Sequence, residues 1–382
     1  VAMLYGRAMA ILLSVVAVAL KKKIGGGESL AMVIYTLAGS LAAIFAFERF
    51  QIKHRFALAR LGMIVSLVNV VAIFMLKALF DITPSSAEQI GFEVLCGLAG
   101  GLLVAATASF LSPIFEGLFS ITTDLRLVEL SNTNLPLLRR LAFEAPGSFQ
   151  HSLMVANLAK AGSSAVDADS TLAYTAGLYH DIGKIYRPEY FIENQHPGQN
   201  PHDKLSPSMS TLVLVSHIKD GLDLARQHRL PRPIHDAIEQ HHGTALIKFF
   251  YQRAQEQEGE SGRQVEESDY RYPGPKPQTR VMGVLMLADS VEAASRTLRD
   301  PTPLTIRSLI RKIFDVNIQD GQLDETDLTL SDLSKISDAF FHVLSNIFHR
   351  RVDYPGFDFE DRRRKQRPES GLPPAEPSQG RN

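Results

Sequence analysis

In the run Gly177-Leu178-Tyr179-His180-Asp181-Ile182-Gly183-Lys184, an imidazole and a carboxylate stand side by side at the end of an apolar stretch. Alone, such a pair is common. Four further positions make it informative. His151 shares a helical face with Val155 and Leu158, and His217 closes the apolar run Leu212-Val213-Leu214-Val215-Ser216. His241-His242 follow Ile234 and Ile238, and Asp289 ends Val284-Leu285-Met286-Leu287-Ala288. Residues three and four apart share a helix face, so these polar groups point inward with their apolar neighbours. A single inward histidine is ordinarily a hydrogen-bonded core residue, and Asp289 alone could cap a helix or pair with Arg296. Five imidazoles and two carboxylates are harder to dismiss, because an unpaired buried carboxylate is costly. A shared metal centre supplies the partners, since imidazole with carboxylate suits iron, manganese or zinc. A carboxylate bridging two ions could hold them about 3.5–4 Å apart, a separation suited to in-line phosphoryl displacement.

Helices must position these groups. Residues 148–350 show helical periodicity and no convincing alternating strand, so the expected fold class is all-α. Ser148 is expected to precede the His151 helix, and Ser206-Pro207 reads as an N-cap followed by proline at the first helical position. Residues 117–147 read as a connecting helix and a turn closed by Ala145-Pro146-Gly147. From about 252 to 279 the chain is polar and rich in proline and glycine, a long excursion between helices. The tail from Glu360 to Asn382, with Arg362-Arg363-Arg364-Lys365 and several prolines, reads as disordered.

The 382 residues carry a formal net charge of −1, which offers no broad basic surface for a nucleic-acid polymer. The single cysteine, Cys96, lies in an apolar run and excludes a disulfide framework or a cysteine-based zinc site. The first third is nearly continuous apolar sequence. Four segments near 3–20, 29–47, 59–80 and 90–116 have the length to span a bilayer. The last holds Gly97, Gly100 and Gly101, which let membrane helices approach closely. Residues 48–60 carry four Lys or Arg and residues 81–89 none, so the positive-inside rule puts the former, and everything after 117, in the cytoplasm. Lys21-Lys22-Lys23 falls on the opposite side of this topology. The expected organisation is a membrane region (1–118), a connector (119–147), a cytoplasmic catalytic domain (148–355) and a tail (356–382). The chain opens at Val1 inside apolar sequence, as expected for the downstream piece of a longer membrane protein.

The order His151, His180-Asp181, His217, His241-His242, Asp289 resembles the HD-domain phosphohydrolase superfamily in its two-metal form. The runs EAPGSFQHSLMVANLA, AGLYHDIGKIYRPEYFIENQ, NPHDKLSPSMS, QHHGTALIKFFY, YRYPGPKPQTR, MLADSVEAASR and DGQLDETDLT narrow this further. They are similar to the PgpH-type seven-transmembrane HD proteins, which hydrolyse cyclic di-AMP to pApA. That family also carries an external sensory domain and three earlier membrane helices, so the four spans here correspond to the last four of seven. The resemblance implies that His151, His180, Asp181 and Asp289 hold one metal. It implies that Asp181 bridges to a second, completed by His217, His241 and His242, with iron or manganese as the ions. Lys184, one turn after Asp181, is placed where a cation could meet a phosphate. Cyclic di-AMP is the expected substrate and the lipid bilayer an expected partner, with a homodimer possible.

Metal ligands do not read a base, and other readings stay open. They are a cyclic di-GMP phosphodiesterase, another nucleotide phosphohydrolase, or a membrane receptor whose HD domain only binds nucleotide. Two polar loops, Asn200 to Pro207 and Arg271 to Pro277, are expected to rim the pocket because they flank the ligand helices.

Overall fold

The computed structural model describes residues 14, 30–50, 55–79, 86–119, 121–196, 198–259, 265–298 and 301–348. The expected span at 3–20, the Lys21–Lys23 triplet and the tail from 356 lie outside the described residues. Within them the chain is helical, with no strand and a single isolated bridge between Leu246 and Arg271.

Three apolar helices come first: α1 (Leu30–Phe50), α2 (Arg55–Leu79) and α3 (Ala87–Phe119). They overlap the expected segments at 29–47, 59–80 and 90–116. Of the described helices, α2 over Leu58–Leu79 and α3 are long and apolar enough to cross a membrane. Their outer faces leave Leu67, Phe74, Met75, Leu103, Phe110 and Leu118 exposed, an apolar surface that water would penalise and lipid would not. The two helices touch where side chains vanish. A Cβ on Gly101 would lie 2.3 Å from Ser66 Oγ, and that hydroxyl donates to Leu98 O at 2.6 Å.

The connector is not a single helix and turn. Thr123 caps α4 (Asp124–Leu130) by accepting from Arg126 N, and Pro136 starts α5 (Pro136–Glu144). Leu127, Leu130, Leu137, Leu138 and Leu141 bury their side chains in the main core. That burial is why the segment folds as two short helices on the core rather than as a solvated link.

The core is built around α6 (Pro146–Ala165), which packs against α7 (Ser170–Tyr179), α11 (Arg280–Ser295) and α13 (Leu330–Ile347). Helices α8 (Pro207–Gln227), α9 (Arg232–Gln240), α10 (Lys248–Gly259) and α12 (Pro303–Gln319) complete it. Helix α6 starts three residues earlier than expected, at Pro146, so Ser148 is a first-turn residue and not its cap. The Ser148 hydroxyl is used elsewhere, donating to Glu193 Oε1 at 2.8 Å. Ser206 does cap α8, accepting from Met209 N at 3.3 Å. The expected excursion over 252–279 is shorter than read. Helix α10 runs on to Gly259 because Phe250 and Ala254 bury one stripe of an otherwise polar helix.

Candidate metal centre

Helix ends deliver most of the predicted ligands. His180 is the C-cap of α7, and Asp181 immediately starts the 3₁₀ turn Ile182–Tyr186. His241 is the C-cap of α9, with His242 following it. His151, His217 and Asp289 project from within α6, α8 and α11. One close approach joins the two halves. A Cβ on Gly183 would lie 1.9 Å from His217 O and 2.6 Å from Gly221 N. Only glycine lets α8 sit against the turn that carries Asp181.

All seven predicted metal-site residues converge. His151, His180 and Asp289 bring ligand atoms within 4.8 Å of one another, as do Asp181, His217, His241 and His242. Asp181 faces both sets with different oxygens. Its Oδ2 lies 3.2 Å from His180 Nε2 and 3.4 Å from His151 Nε2. Its Oδ1 lies 3.5 Å from His217 Nε2 and 3.6 Å from His241 Nε2. Asp289 Oδ1 is 2.9 Å from His151 Nε2, while its Oδ2 is 3.4 Å from His242 Nδ1.

The remaining ring nitrogens are fixed from behind. His180 Nδ1 donates to Gly177 O at 2.8 Å, His217 Nδ1 to Leu214 O at 2.5 Å, and His241 Nδ1 to Ile238 O at 2.9 Å. Each bond holds a ring hydrogen on Nδ1 and aims Nε2 at the carboxylates, the orientation that a metal ligand needs. His151 Nδ1 contacts Glu292, whose carboxylate Arg296 clamps at 2.8 and 2.9 Å.

What lacks a partner defines what the site can hold. His180 Nε2 and Asp181 Oδ1 are buried without a hydrogen bond, and Asp181 Oδ2 has the Lys184 ammonium as its ion-pair partner. Unpartnered buried polar atoms carry a cost that proteins rarely leave standing. Burial works against the charge of Asp181, but the Lys184 ammonium and His180 outweigh it and hold the carboxyl well below its usual range. Asp289 is also held low, hydrogen bonds from His151 and His180 overcoming burial. Burial pushes His217 down to about 3, which keeps it neutral and able to ligate. His180 moves up to about 10 because Asp181 and Asp289 overcome its burial. Both carboxylates are thus held ionised against the imidazole nitrogens. The donor set fits transition-metal ions that accept nitrogen and oxygen together.

Lys184 is buried, with Nζ 2.6 Å from Asp181 Oδ2 and 2.9 Å from Glu193 Oε1. It lines a cavity of about 170 Å³ with His151, His217, His242, Asp289, Tyr272 and Arg296. Of the two loops expected to rim the pocket, the second contributes Tyr272, whose ring stacks on His242 at 4.1 Å. The first does not line this cavity. Its His202 is buried against Tyr190 and Phe250, with Nε2 2.9 Å from Tyr190 O. Sequence reasoning also missed Glu193 and Glu292. Glu292 could have been found, since it lies one turn beyond Asp289 on the same helix face. Arg296 pairs with Glu292 rather than with Asp289.

Residues 148–294 match the HD domain family, and residues 1–123 match the family described as 7TM receptor with intracellular HD hydrolase. The cyclic-di-AMP phosphodiesterase PgpH of Bacillus subtilis (strain 168) is 41% identical over 322 residues, covering 84% of this chain and 44% of the relative. Its namesake in Listeria monocytogenes serotype 1/2a (strain 10403S) is 40% identical over 306 residues, covering 79% and 42%. The chain thus spans less than half the length of these curated relatives. The crystal structure of the L. monocytogenes phosphodiesterase PgpH HD domain in complex with cyclic di-AMP is 44% identical, with a TM-score of 0.53. That match covers 57% of this chain and all of the solved one.

Proposed function

The chain belongs to the family in which a seven-helix membrane receptor region carries an intracellular HD hydrolase domain, and we propose that it hydrolyses cyclic di-AMP to pApA. The observation that carries this reading is Asp181, one carboxylate turned with separate oxygens toward two imidazole sets. His151, His180, Asp181 and Asp289 would hold one ion, and Asp181, His217, His241 and His242 the other, with iron or manganese as the metals. When bound, such ions supply Lewis-acid charge for a phosphodiester and a nucleophilic water near neutral pH. Water adds to one phosphorus, the bond to the 3′-oxygen breaks, and the linear dinucleotide leaves.

The chain's own residues do the positioning. Backbone carbonyls fix the imidazole tautomers, and Glu292 with Arg296 orients His151. Lys184 places a buried cation at the bridging carboxylate, within the cavity that a substrate phosphate would enter. Tyr272 stiffens His242 and offers a ring face beside the cavity mouth.

The protein is a membrane protein with an HD domain. We place residues 1–118 across the cytoplasmic membrane as several spans, 119–147 as a connector and 148–355 as the catalytic domain in the cytoplasm. The purified chain, loaded with iron or manganese, should be offered cyclic di-AMP, cyclic di-GMP and dATP. Conversion of cyclic di-AMP to pApA at least tenfold faster than either competitor is expected. Turnover of a competitor with cyclic di-AMP inert, or tight binding without any turnover, would overturn the proposal.

A further inference from the structure

A second cavity is lined by none of the metal-site residues. It occupies about 680 Å³ where the ends of α2 and α3 meet α4 and the loop joining α8 to α9, within the size range of small-molecule sites. Its lining is mixed, and Glu116 and Glu129 belong to it along with two larger groups. Leu58, Pro113, Ile121 and Leu125 make an apolar side, and Arg126, Arg229 and Arg232 a cationic one.

The carboxylates at this site are already engaged. Glu116 accepts from Thr123 Oγ1 at 2.5 Å and from Ser112 Oγ at 3.3 Å. Glu129 faces Arg126 at 3.7 Å, and Arg232 is drawn to Asp236 at 2.8 Å. Arg229 is different. Among the described residues its exposed side chain makes no hydrogen bond or ion pair.

The backbone at Arg229 is the second observation. It ends α8 with φ +51°, and Leu230 N reaches back to Ala225 O at 2.9 Å. That is the left-handed position after a helix, where glycine is favoured because a Cβ is strained. A long cationic side chain is kept there at the expense of stability, which points to a use for the guanidinium. The position suggests the ligand. The same stretch of α3 that lines the cavity at Ser109, Pro113 and Gly117 exposes Phe110, Ile114, Leu118 and Phe119, an apolar surface next in sequence to the cavity wall.

We propose that this junction cavity binds an anionic phospholipid, its phosphate held by Arg229 with Arg126 and Arg232 and its acyl chains lying along α3. The site rests on the reading that α2 and α3 lie in a bilayer. It is independent of the hydrolytic activity.

The test uses the full chain in nanodiscs of phosphatidylcholine containing a minor fraction of phosphatidylglycerol. Lipid retained after detergent extraction is counted by mass spectrometry. About one phosphatidylglycerol per chain is expected. Arg229→Gly should lower retention at least fivefold while raising Tm by roughly 2–4 °C, as expected for relief of modest strain in a domain of this size. Arg229→Lys should keep most of the retention, and Arg311→Gln, an equal loss of charge on remote α12, should keep all of it. Unchanged retention in Arg229→Gly, or equal loss in Arg311→Gln, would overturn the site. Displacement by millimolar inorganic phosphate would overturn the lipid as occupant in favour of a soluble anion. If the chain failed to enter nanodiscs, the membrane reading would fall, and this site with it. Loss of cyclic-dinucleotide turnover alone would touch neither.

Discussion

Replacing Gly183 by alanine adds one methyl group where the structure has no room for it. The new Cβ would sit 1.9 Å from His217 O, against an ordinary contact of 3.4 Å, so α8 must withdraw by about 1.5 Å. The obstacle is backbone, which cannot rotate aside as a side chain would. Gly183 does not have a left-handed φ, so the cost is steric and not conformational. Overpacking of this kind costs about 1–3 kcal/mol, with Tm falling roughly 2–4 °C per kcal/mol in a unit of this size. The larger effect is geometric. His217 Nε2 lies 3.5 Å from Asp181 Oδ1, and a shift of this size carries it out of reach of an ion shared with Asp181. Misplacement by about 1 Å can cost 10²-fold in rate. Metal analysis, thermal melting and turnover per folded molecule should therefore show a folded protein, depleted mainly in its second ion, with turnover reduced about 10²-fold. Wild-type Tm and turnover in Gly183→Ala would show that the approach of α8 does not assemble the site.

Glu292→Gln removes the carboxylate behind His151 and should weaken metal binding by about 10–100-fold, read by competition with a chelating dye. Metal affinity equal to wild type would exclude that support. Glu193 is partly buried and has its carboxyl held low, because Lys184 outweighs the opposing effect of burial. A depressed folded pKa contributes stability above the unfolded value, near 4.5, and loses it as pH falls through the folded value. Glu193→Gln should therefore flatten the acid limb of a Tm-versus-pH curve, and an unchanged limb would refute the pairing. Ser206→Ala removes the cap of α8 and should cost about 1 kcal/mol while turnover per folded molecule stays constant. A large loss of turnover would mean that the cap also positions His217.

The ligand residues were legible because each interrupts an apolar helical pattern, and burial makes such interruptions expensive. His151 among Val155 and Leu158, and Asp289 after Leu287-Ala288, stand out for that reason. The residues behind them were not legible. Glu193 and Glu292 resemble solvated charges in sequence, and only the fold shows Glu193 paired with Lys184 and Glu292 buried beside His151. The expected pocket rim at Asn200–Pro207 failed for a related reason. Asn200, Asp203, Lys204 and Ser206 are exposed as their polarity suggests, but His202 turns inward against Tyr190 and Phe250 and the loop does not line the cavity. The early start of α6 escaped notice because Pro146 begins the helix without a side-chain cap. Helix α10 was lost in a polar stretch, since Phe250 and Ala254 are too few to make a clear period.

The central claim is that Asp181 serves two ions at once, and metal content measured beside turnover in Asp181→Ala tests it most directly. The account predicts loss from both sites and turnover reduced by orders of magnitude. His217→Ala, in contrast, should deplete chiefly one ion. Asp181→Ala with two metals per chain and near-normal turnover of cyclic di-AMP would contradict the account.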